Sequence, residues 1–151
     1  MITRRDSLIA TIAIALTAAL MALAQSAARP WMHSGTFNWS DFKAEPTKSG
    51  ERRECFDAAT ATLERLECHV TTLNPGEVPH APHQHPEEEL VIVKQGVLEA
   101  MQNHKTNRVE AGGLIFEASN EFHGLRNIGA SQAVYYVVKF YPRDLPKTDA
   151  K

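Results

Sequence analysis

Residues 79–90 read Pro79-His80-Ala81-Pro82-His83-Gln84-His85-Pro86-Glu87-Glu88-Glu89-Leu90, which puts three of the chain's seven histidines within six positions. On an extended strand alternate side chains share a face, so His83 and His85 point the same way, about 6 to 7 Å apart along the chain. Two imidazoles so placed can reach one ion at about 2.0 to 2.1 Å from each nitrogen. Pro86 stops the strand. Glu89 then follows at an even offset from both histidines, where it adds an anionic oxygen to two neutral nitrogens. His123, in Asn120-Glu121-Phe122-His123, is the later candidate for a fourth ligand. His80 is either a supporting donor or alternative ligand, or an exposed loop residue after Pro79. Glu87 and Glu88 read as a solvated pair, with Glu88 replacing Glu89 if the register slips.

The surrounding sequence sets this stretch among strands. Leu66, Cys68, Val70 and Thr72 alternate with Glu67, His69 and Thr71, the period-two signature of a half-buried strand, and Asn74-Pro75-Gly76 ends it. Short apolar runs follow at residues 90–93, 97–101 and 114–116, and the stretch 133–140 (AVYYVVKF) is the last strong strand. Tyr135 and Tyr136 must face opposite sides of it, one toward a cavity or both into packing. His33, His69 and His104 show no partner pattern and read as structural. Seven or eight short strands separated by Gly, Pro and Asn turns, with no helical stripe after the amino-terminal segment, make a single all-β domain, a sandwich or barrel.

At this point the residues carry a family resemblance. Gly76, His83-x-His85, three residues to Glu89 and six more to Gly96 resemble the first motif of the cupins. Gly113, His123 and, three residues on, Asn127 resemble the second, with Ser119 where the family usually has Pro and Glu121 near its usual Gly. The resemblance covers about residues 52–141. It implies a double-stranded β-helix, a jelly-roll barrel forming a single cupin domain over residues 51–142. It also implies the ligands His83, His85, Glu89 and His123, a structural turn role for Asn127, and a homodimer. Three imidazoles and one carboxylate suit one divalent transition metal ion, Fe, Mn, Ni, Cu, Co or Zn, without choosing among them. Cupins with this ligand set include dioxygenases, isomerases and decarboxylases, and also proteins that only bind small molecules. Two readings follow: an exported mononuclear metal-binding cupin acting on a small polar organic molecule by oxygenase- or isomerase-like chemistry, or a non-catalytic periplasmic module that captures a small molecule or metal.

The ends of the chain have other roles. Arg4 and Arg5 precede residues 8–24, of which all but Thr11 and Thr17 are hydrophobic, and Ala22 and Ala24 occupy the −3 and −1 positions of a cleavage site. That pattern describes a secretory signal peptide over residues 1–24. It predicts a periplasmic or otherwise exported protein, with no stable membrane association after cleavage. The other reading, an uncleaved anchor, is short for a hydrocarbon core of roughly 30 Å. Thr3-Arg4-Arg5-Asp6-Ser7-Leu8 resembles the twin-arginine export signal, with Ser7 in the slot usual for an aromatic or large apolar residue. Residues 25–50 form an arm carrying Trp31, Phe37, Trp39 and Phe42, which packs its rings on the domain or on a second subunit, or else is a partly ordered leader. Residues 143–151 are a polar tail.

Sixteen Lys+Arg against 18 Asp+Glu give a formal charge of −2, which leaves no basic surface for nucleic acid. Two cysteines exclude a disulfide scaffold or a four-thiolate zinc site. Outside the cytoplasm Cys55 and Cys68 either close a loop of 13 residues, worth about 3 kcal/mol in the chain-entropy model, or remain free thiols packed as small hydrophobes.

Overall fold

Nine strands carry the described residues, and the inward rows of side chains explain both where the core sits and where it stops. A computed structural model describes residues 31–143. The signal peptide read at residues 1–24 and the polar tail beyond Arg143 lie outside the described residues. In chain order the strands are β1 (Ala44–Thr47), β2 (Gly50–Ala58), β3 (Leu63–Leu73), β4 (Glu88–Gln95), β5 (Val97–Gln102), β6 (Lys105–Glu110), β7 (Leu114–Glu117), β8 (His123–Asn127) and β9 (Ala133–Pro142). They form a six-stranded sheet ordered β1-β2-β3-β9-β4-β7 and a three-stranded sheet ordered β6-β5-β8, all pairs antiparallel. This is the jelly-roll architecture expected, and no α-helix occurs among the described residues.

Register turns the alternation into layers. Leu73 lies opposite Ala133, Thr71 opposite Tyr135, His69 opposite Val137 and Glu67 opposite Lys139. The same rows continue across β4 and β7 as Val93 beside Tyr135, Val91 beside Val137 and Ile115, and Glu89 beside Lys139 and Glu117. The rows at one end supply most of the apolar core, built from Leu73, Val91, Val93, Ile115, Ala133, Tyr135 and Val137 with Leu98 and Ala100 from β5. The row at the other end is Glu67, Lys139, Glu89 and Glu117, four charged side chains in file across four strands. One end of the barrel is therefore packed and the other is built for polar contacts.

The half-buried reading of the 66–72 stretch is corrected in one respect. Glu67, Cys68, His69 and Val70 are all buried, because the polar positions face the interior while the apolar ones lie under other chain on the outside. Part of that cover comes from the arm. Phe42 is buried, Phe37 meets Phe56 with ring centroids 5.1 Å apart, and Trp39 sits between the Arg53 guanidinium and the Lys94 ammonium. Of the four rings read in the 25–50 stretch only Phe42 is buried; Trp31, Phe37 and Trp39 touch the domain but stay exposed, and β1 joins the six-stranded sheet.

Two of the turns with left-handed backbone bear on the sheets directly. Gly96 has φ +83°, and a Cβ there would stand 2.7 Å from Ala133 Cα, so only glycine lets β4 turn into β5 against β9. Asn103 and His104, at φ +46° and +66°, form the two-residue turn between β5 and β6; the paired positive angles match the twist of a hairpin.

Candidate metal centre

His83 and His123 come together through a single antiparallel bridge: His83 N–H donates to His123 O at 3.0 Å and His123 N–H donates to His83 O at 2.8 Å. The stretch from His83 to His85 is extended but outside any named strand, and it is pinned again where Asn120 N–H donates to His85 O at 2.8 Å. Pro82 and Pro86 on either side remove backbone donors that a ladder would need. Ligand atoms of His83, His85 and His123 all lie within 4.8 Å of one another, and Glu89, the fourth ligand expected, is outside that group of three.

The His123 ring is set in a tautomer suited to holding an ion. His123 Nδ1–H donates to Glu121 O at 2.8 Å, which leaves the Nε2 lone pair facing inward without a partner. His85 Nδ1–H donates to Glu87 O at 2.9 Å. Its Nε2 lies 2.9 Å from Glu89 Oε1, a contact that either a proton on the ring nitrogen or a bound cation satisfies. Burial, and then the neighbouring His80, His123, His85 and Lys139, push His83 down to about 4, so its ring is neutral at physiological pH. The donor set therefore fits a divalent transition metal ion.

Glu89 stands against this cluster, bonded to His85 and ion-paired with Lys139. Burial raises its carboxyl pKa, but the hydrogen bond and charge of Lys139 outweigh that and bring it below the usual carboxylate range. His80 is exposed, its ring edge-on to His83 at 4.4 Å between centroids. Glu88 is exposed and outside the cluster, so the one-residue slip is not seen. Asn127 is fully buried; its Nδ2 donates to Leu73 O and Ser131 O, and its Oδ1 accepts from Gly129 N–H, each at 2.9 Å.

The cluster opens on a cavity of about 310 Å³, the low end of the range for small-molecule sites. Sequence reasoning missed several of its walls. Glu117 is buried in it, with Oε2 held by Gln102 Nε2 at 3.1 Å, and burial raises its carboxyl above the usual range. Arg52, Lys139 and His69 also line it, although His69 reads as structural in the sequence. Behind them Glu67 gathers Arg52 at 2.9 Å, Arg65 at 2.8 Å and His69 at 3.2 Å, and is held down to about 2 by the His69 hydrogen bond and both guanidinium groups. The signal for Glu117 was its even offset from Ile115, obscured because Leu114, Ile115 and Phe116 are apolar on both faces.

Comparison with known proteins agrees with this architecture. Residues 69–139 match the family model described as a cupin domain. A cupin described as RmlC-like from Shewanella frigidimarina superposes with TM-score 0.58 at 15% identity, covering 74% of this chain and 95% of that one. The polyketide cyclase RemF from Streptomyces resistomycificus gives 0.58 at 20% identity over 77% and 89%. A protein described as a predicted oxalate decarboxylase from Thermotoga maritima gives 0.57 at 19% identity over 71% and 99%. No curated protein matches the chain.

Proposed function

We propose that this chain, a cupin by fold and by the match of residues 69–139, is an exported mononuclear metalloprotein acting on a small polar organic molecule. The observation that carries the reading is the convergence of three ring nitrogens within 4.8 Å, two of them from histidines that line a cavity, His83 and His123. In this reading His83, His85, Glu89 and His123 hold the ion. A divalent ion there supplies a Lewis acid that polarises a carbonyl or lowers the pKa of bound water. Oxygenase- or isomerase-like chemistry on a chelating substrate fits such a site, and the named chemistries of similar folds, a cyclase and a decarboxylase, are compatible with it.

The chain's own groups define what binds. Arg52 lines the cavity, paired with Glu54 and Glu67, and its guanidinium suits a carboxylate or enolate oxygen. Lys139 neutralises Glu89 and fixes its orientation. Val91 and Val137 form the apolar wall that limits water. The charged and apolar pattern of residues 1–24 supports export.

Elemental analysis of purified protein tests the reading, with about one transition metal ion expected per chain and most of it lost in His85→Ala. A folded parent protein that binds no ion overturns it. Turnover of small keto acids, hydroxy acids or catechols by the loaded protein supports an enzyme, whereas metal loading without turnover of any of them favours a capture module.

A further inference from the structure

Three buried side-chain polar atoms lack a hydrogen-bond partner among the described residues: His83 Nδ1, His123 Nε2 and Glu117 Oε1. Buried polar atoms are almost always satisfied, so each orphan calls for a reason. These three come from a loop, from β8 and from β7, and all three residues line the same cavity. Two belong to the histidine cluster. The third is a carboxylate outside the motif positions that the cupin resemblance supplies.

Charge sharpens the point. The described residues include three buried acids, Glu67, Glu89 and Glu117, at 5%, 7% and 2% exposure. Glu67 has two arginines and Glu89 has Lys139. Glu117, the most buried, has no cationic partner among the described ion pairs; its hydrogen-bond partner is the neutral amide of Gln102, which also donates to Phe116 O at 2.7 Å and so fixes Oε2. Gln102 thus orients the carboxylate and leaves Oε1 free. A buried carboxylate without a counter-charge is strongly unfavourable.

We infer that Glu117 binds the metal ion directly through Oε1, as a second carboxylate beside Glu89. The inference rests on the metal-site reading above and deepens it. Ligand atoms of the three imidazoles lie within 4.8 Å of one another without either carboxylate; with Glu89 and Glu117 turned onto the ion the chain would offer five donors, more than a tetrahedral zinc site uses. A second carboxylate makes the nitrogen-majority set harder, which favours manganese and ferrous iron more than three imidazoles and one carboxylate do, and six-coordination leaves one position for substrate or water.

The test uses the full chain, stripped with a chelator and titrated separately with Mn²⁺ and Zn²⁺. Glu117→Gln should weaken Mn²⁺ binding by about 100-fold and Zn²⁺ far less, while Glu117→Asp keeps most of the Mn²⁺ affinity. With Co²⁺ as probe, the visible bands of Glu117→Gln should intensify as the coordination number falls, a change that mere loosening of the fold does not produce. The metal-free Glu117→Gln protein should melt at or above the parent's temperature, since an uncompensated buried charge is gone. Mn²⁺ affinity within about threefold of the parent, with an unchanged Co²⁺ spectrum, overturns the assignment alone, provided parent binding still depends on His85. A parent that binds no ion overturns the metal site and Glu117 with it.

Discussion

Glu89 and Glu117 stand directly opposite one another across β4 and β7, both turned into the cavity, yet one faces a lysine and the other faces none. Two carboxylates this close repel when both are ionised, so the arrangement is stable only if one is neutralised or a cation joins them. Lys139 settles Glu89. Glu117 keeps no cationic partner among the described ion pairs, and its Oε1 has no hydrogen-bond partner.

Ion binding should therefore stabilise the fold measurably. A ligand at one-hundred-fold excess over its Kd adds about 2.7 kcal/mol. For a domain of this size that raises Tm by roughly 10 °C. Thermal melts with and without Mn²⁺, reversed by chelator, check it, and His85→Ala should lose most of the shift.

Acid should act through Glu67. Its carboxyl is held down to about 2 by His69, Arg52 and Arg65, whereas the unfolded chain titrates near 4.3. A depressed folded pKa contributes stability that is complete above the unfolded value and is lost as pH falls toward about 2. Glu67→Gln should cost about 2 kcal/mol at pH 7, discounted because Arg52 is partly exposed, and nothing near pH 2. Urea unfolding of both proteins from pH 7 to 2 should give curves that converge only below about pH 4.

How far the sequence could be read depends on how local each signal was. The paired histidines and the turn glycine Gly96 were legible because ligand spacing and a positive φ are short-range demands. The jelly roll followed from strand spacing and motif. Strands β1 and β6 were hidden because Ala44–Thr47 and Lys105–Glu110 are almost wholly exposed, leaving no alternation to detect. The row Glu67, Lys139, Glu89, Glu117 was invisible for a different reason: four residues spread over 73 positions become neighbours only through the register of four strands. Likewise, nothing local marks Gln102 as the group that orients Glu117.

Asn127 should be among the least replaceable polar residues. Its amide closes three hydrogen bonds at zero exposure and ties the end of β3 to the turn before β9. Asn127→Ala leaves the Leu73 carbonyl short of a donor in the interior and opens a void, together costing about 3 kcal/mol. Chemical denaturation should show the lowered midpoint, and Asn127→Asp should recover little, because a carboxylate cannot donate to Leu73 O and Ser131 O.

The last prediction concerns the two thiols. A bulge in the β2–β3 ladder pairs Glu54 with His69 and Phe56 with Cys68, so Cys55 is the extra residue, and its free thiol lies near enough to that of Cys68 for each to perturb the other. Proximity favours a disulfide, but burial pushes the Cys68 thiol up to about 12 and raises Cys55 as well, so little thiolate is present at neutral pH. Treatment with diamide should join the sulfurs within one chain, each thiol giving up one hydrogen to the azo bond, and the rate should climb steeply between pH 7 and 9. The oxidised protein should be lighter by about 2 Da and more stable by up to about 3 kcal/mol, the loop-closure value for a crosslink of this span. Mass spectrometry after alkylation reads the result. Two alkylatable thiols after prolonged oxidation at pH 9 would mean that the bulge holds the sulfurs near each other but misaligned for bonding.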